Sequence, residues 1–136
     1  MEGVRFSGSV ALSLWKNDPE KRGLSDMAGL FCPVPHGASS ACHQFRDLML
    51  QEYQLRSSAI DDTRTIIGEY PESSLTQMLQ QTLQGMITMR NTYLQMFNGM
   101  IQDRLFLKEE LINRRIKETQ ERIKELNAVD QRMLEN

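Results

Sequence analysis

Four residues near the start of the chain, Cys32, His36, Cys42 and His43, are of the types that ligate zinc. A zinc site needs four nitrogen or sulfur ligands converging as a tetrahedron. Here all four would come from about 12 residues of sequence, and Cys42 and His43 are adjacent, so their side chains diverge. The spacing therefore argues against a metal site, and an intracellular chain would keep both thiols reduced. Asp61-Asp62 is the next candidate, a carboxylate doublet on a predicted helix that a solvated face explains. No phosphate loop, nucleophile elbow or paired metal motif is present. The expectation is a chain with no catalytic, cofactor-binding or metal residues, not an enzyme, and with no small-molecule substrate.

The elements around those residues carry more information. Charge is nearly balanced, with 16 Lys and Arg against 18 Asp and Glu in 136 residues. The basic residues are interleaved with acids, which argues against nucleic acid as a partner. No run of about 18 apolar residues is available for a membrane span. The start of the chain lacks the pattern of a secretory signal, so the expected location is intracellular, in the cytoplasm or the nucleus. Charge is unevenly distributed: residues 72–101 hold only Glu72 and Arg90, whereas residues 102–136 hold eight bases and eight acids.

Residues 1–38 carry most of the glycines and three of the four prolines, and read as an irregular N-terminal arm. Within it Val4, Phe6, Val10, Leu12 and Leu14 alternate with polar residues, the period of a half-buried strand. Pro33-Val34-Pro35 is an extended spacer. A first helix is expected from Ser39 or Ser40, as N-cap, to a closure at Gly68-Glu69-Tyr70-Pro71. A second is expected after a cap at Ser73 or Ser74. Its apolar face runs through Leu75, Met78, Leu79, Leu83, Met86, Met89, Tyr93, Met96, Phe97, Met100 and Ile101. The same periodicity continues through Leu105, Ile112, Ile116, Ile123, Leu126 and Met133, with Gly99 as a candidate break. Uninterrupted from 74 to 135, that helix would be about 93 Å long, against roughly 42 Å for the first.

The predicted fold is all-α: an antiparallel helical hairpin over 39–103 and a long coiled-coil helix over 104–136, after the irregular arm. The first helix reaches only to about residue 103, so the apolar stripe beyond it needs a second chain, because an isolated helix of that length is marginal in water. The expected function is a non-catalytic scaffold or adaptor subunit of a complex, bound to a protein partner, hetero- or homo-oligomeric, through this C-terminal helix. The residues expected at the outer interface are Leu105, Ile112, Ile116, Ile123 and Leu126. Met86, Met89, Tyr93, Met96 and Phe97 are expected to hold the hairpin or a second interface.

One stretch resembles a known family. Residues 82–91, with the step Met89-Arg90-Asn91 and then Phe97 and Met100, look like the C-terminal helix of inner-rod and rod-adaptor proteins of flagellar and type III secretion basal bodies. Gly68 and Pro71 sit where those proteins have a loop containing Gly and Pro. The resemblance implies, as an alternative function, a structural component packed on all sides within an export rod. Those proteins end near this point, whereas this chain continues for about 33 residues.

Overall fold

The computed structural model describes residues 29–135, with side chains described for 29–129. The all-α expectation is borne out: the described residues form three α-helices and no strand. They are α1 (Ser40–Glu69), α2 (Thr76–Gln102) and α3 (Glu109–Glu135), with a 3-10 turn at Leu105–Leu107. The alternating pattern of Val4, Phe6, Val10, Leu12 and Leu14 lies outside the described residues.

Residue types account for most helix ends. Ser39 caps α1, its Oγ accepting from the Cys42 N–H at 3.4 Å. Gly37, at φ +89°, makes the turn that brings the chain into that cap. At the other end the Gly68 closure gives way to a different one. Gly68 stays inside the helix, and the Tyr70 N–H donates to Ile66 O just before Pro71. α2 starts later than expected. Ser73 Oγ accepts from the Leu75 N–H at 3.1 Å, and the Thr76 hydroxyl donates to Tyr70 O at 2.6 Å, closing a tight α1–α2 connection.

The expectation of one helix from 74 to 135 is corrected. α2 passes through Gly99 without interruption and stops at Gln102. Arg104 then adopts a left-handed conformation, φ 61°, ψ 26°, and the chain turns. A non-glycine residue there costs about 1–2 kcal/mol. Folding back offsets it by putting Ile112, Ile116 and Ile123 at 1%, 7% and 7% exposure. Each buried isoleucine contributes roughly 1.5–3 kcal/mol, so the turn is favoured by several kcal/mol over a projecting helix. The apolar stripe expected to be bare is therefore covered by this chain's own α1.

α1 is the central helix, packed along α2 on one side and α3 on the other; α2 and α3 meet mainly through the 3-10 turn. The core lies toward the end of the molecule where that turn sits. Phe45, Phe97 and Leu94 are buried there, with Phe31 wedged among rings: 5.4 Å from Phe97 and 5.7 Å from Tyr53 between centroids. Residues 29–38 are irregular, as expected, but docked: Asn98 Nδ2 donates to Leu30 O at 3.1 Å, and the Cys32 N–H donates to Asn98 Oδ1 at 2.8 Å.

The start of α3 makes a direct prediction. Lys108 is extended (φ −92°, ψ 93°) and its carbonyl accepts from the Ile112 N–H, the geometry of an N-cap, yet it has no acceptor side chain. Its charge also opposes the helix dipole. Lys108→Asp should stabilise the fold by about 1 kcal/mol, seen as a rise of a few degrees in Tm. A fall in Tm would mean that α3 begins elsewhere.

Candidate functional site

Two regions of this fold concentrate polar or unsatisfied chemistry: a buried ionic cluster between the helices, and an uncovered face on the first half of α2.

The cluster is built on Glu52, 1% exposed in the middle of α1. Helical spacing puts Arg56 one turn further on, and its Nε donates to Glu52 Oε2 at 2.9 Å. From α3, Arg122 donates through Nε to Oε2 at 2.9 Å and through Nη2 to Oε1 at 3.0 Å, a bidentate pair. Both guanidinium groups lie over the Tyr93 ring of α2, at 4.9 Å for Arg56 and 4.1 Å for Arg122. Burial pulls the Arg122 pKa down, but the hydrogen bond and charge of Glu52 outweigh it, and the net direction is upward. Thr119, fully buried, accepts from Arg122 Nη2 and donates to Arg115 O. The buried carboxylate thus joins α1 to α3, and the guanidinium groups it holds reach α2 through Tyr93.

A third cation lies alongside. Arg90 of α2 is 6% exposed, donates to Ser57 Oγ at 3.1 Å and to Asn91 Oδ1 at 3.3 Å, and stacks 4.9 Å from the Tyr53 ring. Burial lowers its pKa, with Tyr53 acting in the opposite direction. The space among these side chains admits no ligand, because Phe31, Met49 and Leu94 close it. The bidentate geometry favours one axial offset of α1 against α3, the role polar groups play in some otherwise apolar cores. Sequence reading did not single out Glu52 or Arg122, since charged residues within a helix pattern are usually solvated. An available signal was that Glu52 follows the buried line of Phe45 and Met49 at helical spacing.

The zinc-type residues do not converge. Among the described residues no group of three or more His, Cys, Asp or Glu is placed to hold a metal. Cys42 is fully buried, which pushes its thiol pKa up, while His36 and His43 face solvent. A shallow cavity of about 360 Å³ lies between residues 35–39 and 104–109, with His36, Arg104 and Glu109 in its wall.

The expected interface residues separate into three groups. Phe97, Ile112, Ile116 and Ile123 are core residues, not offered to a partner, because α1 covers them. Tyr93, Met96, Leu105 and Leu126 are half-buried; Tyr93 carries the two guanidinium groups, and Met96 and Leu105 pack against the core. Met86 is half-buried and accepts from the Thr63 hydroxyl at 3.7 Å, whereas Met89 is 48% exposed.

Met89 belongs to a face that the sequence pattern alone did not separate from the core stripe. Every buried residue of α2 lies at or beyond Arg90, so its first half has none. Leu75, Met78 and Met89 are 57%, 62% and 48% exposed. Together with Thr82, Gly85 and Thr92, also exposed, they recur at alternating steps of three and four. That is the a/d spacing of a helix-pairing seam, turned roughly 120° from the line that packs on α1. Residues 73–89 contain no Asp, Glu, Lys or Arg. Large apolar side chains exposed together on an uncharged face are a feature that marks surfaces of protein contact.

No family model matches the chain, and no curated protein or solved structure is detectably similar to it. The likeness of residues 82–91 to rod-adaptor proteins is carried by none of these comparisons.

Proposed function

We propose that this chain is a non-catalytic helical assembly subunit that binds protein through the exposed seam of α2: Leu75, Met78, Thr82, Gly85, Met89 and Thr92. The observation that carries this reading is the exposure of three large apolar side chains at helix-pairing spacing on the half of α2 that buries no residue within its own chain. The partner contact is thereby moved from the C-terminal helix, whose apolar stripe is satisfied internally, to the second helix. Supporting this, α3 directs Glu109, Glu110, Arg114, Lys117, Glu121 and Lys124 to solvent, a charged and solvated face rather than a dry one.

The test places a photoreactive amino acid at Met78, or at Lys117 on the solvated face of α3, in the full-length chain in its source cells. Irradiation should give a discrete protein adduct from position 78 and none from position 117. Equal labelling from both, or none from 78, would remove the seam as a binding surface.

A further inference from the structure

The occupant of the α2 seam can be identified from its charge and its size pattern. We infer that it is the same seam of a second copy of this chain, running antiparallel; this rests on the reading of the seam as a protein-binding surface.

The charge argument comes first. Positions flanking the seam, Ser74, Leu79, Gln81, Met86, Thr88, Tyr93 and Gln95, are all uncharged. In helix pairs these flanks select one partner over another by opposite charges. A seam without them does not select a foreign helix by charge, and a second copy brings an identical uncharged face with no like-charge repulsion. The outer face of α3, by contrast, exposes Glu109, Glu110, Arg114, Lys117, Glu121 and Lys124, charges that a dry contact would have to desolvate.

The size pattern gives the direction. With the two-fold axis midway between Thr82 and Gly85, antiparallel pairing sets Thr82 against Gly85 of the second copy, Met78 against its Met89, and Leu75 against its Thr92. The centre is small, so the helices approach closely there, and two Met78–Met89 pairs pack on either side. Gly85 then has a purpose that its own chain does not supply. It lies in mid-helix, where glycine costs about 1 kcal/mol relative to alanine. A Cβ at that position would meet no atom of the described residues within 4 Å, as is also true at Gly68 and Gly99 outside the seam. Residues 75–92 span about 26 Å of helix, close to five turns of contact.

The experiment is sedimentation of the full-length chain and of two variants, Met78→Glu and Met89→Lys, alone and mixed. Both positions are exposed, so far-UV circular dichroism should be unchanged in each. The parent chain should sediment at twice 15.7 kDa. Each variant alone should shift to 15.7 kDa, because an unpaired charge enters the seam. An equimolar mixture should return to the dimer mass, since the carboxylate introduced at position 78 of one copy then faces the ammonium introduced at position 89 of the other. A parent chain that is monomeric at about 100 μM, where an interface of a few micromolar would be saturated, overturns the inference. So does a dimer indifferent to both variants. In either case a photo-adduct from position 78 whose mass differs from twice the chain would leave the binding surface standing with another occupant.

Discussion

A chain ending after Asp103 should fail to fold. Without α3, the flank of α1 that carries Met49 and Glu52 loses Thr119 and Arg122, which pack on it. The burial of Ile112, Ile116 and Ile123 is lost as well. At roughly 1.5–3 kcal/mol per isoleucine, the three account for about 5–9 kcal/mol as an upper estimate. A domain of this size is stable by about 5–15 kcal/mol in total. Glu52 adds to the loss, because the truncated chain keeps Arg56 but lacks Arg122, and a buried carboxylate is left half-compensated. The measurement is helicity at 222 nm followed through a urea titration. The full chain should unfold in one cooperative transition, and the truncated one should show low helicity and no transition. A truncated chain that kept a cooperative transition would mean that the α1–α2 hairpin is self-sufficient and that α3 is an accessory.

Glu52→Ala should be the most damaging single substitution outside the apolar core. It removes the acceptor for three donor groups and leaves two guanidinium groups beside Tyr93 without a counter-charge. Breaking a buried pair from one side costs about 3–5 kcal/mol. The side chains of Arg56 and Arg122 are 17% and 20% exposed, so water relieves part of that, and a loss of about 2–3 kcal/mol is expected. Glu52→Gln should lose less, because one amide oxygen still accepts. Replacing Glu52 and Arg122 together by methionine should recover much of the stability, since an apolar pair of similar volume needs no partner. Chemical denaturation of the four proteins checks the order. If Glu52→Ala unfolds at the same urea concentration as the parent, the ionic cluster is decorative and the helices are set in register by packing alone.

The clustering of these effects follows from where the core sits. Buried side chains lie between Leu30 and Ile60, between Arg90 and Ile101, and along α3. The opposite end of the hairpin, with Ile66, Tyr70, Leu75 and Met78 exposed, contributes little to holding the fold. Substitutions in the α2 seam should therefore change association without changing stability, which keeps the two kinds of experiment separable.

Helix periodicity was sufficient to define much of this molecule. The lines Phe45, Met49, Tyr53, Ile60 and Phe97, Met100, Ile101 follow helical spacing, and Ser39 and Pro71 mark the first helix, because local chain chemistry decides those features; buried Leu94 was not on the expected face. The tight connection folding α2 back on α1 was legible for the same reason. Tertiary structure decided the rest. A continuous helix would put Ile112 within about 20° of Ile101 around its axis, so the stripe gives no warning of a turn at residues 103–108. That segment contains neither Gly nor Pro, and its break exists because burying Ile112, Ile116 and Ile123 outweighs a left-handed Arg104. The three consecutive apolar residues Leu105, Phe106 and Leu107 were its one local sign. The same closure decided which residues are available to others. Folding back hides the isoleucines expected to bind a partner, and α1 leaves Met78 and Met89 uncovered, because a helix can shield only the side of its neighbour that it touches.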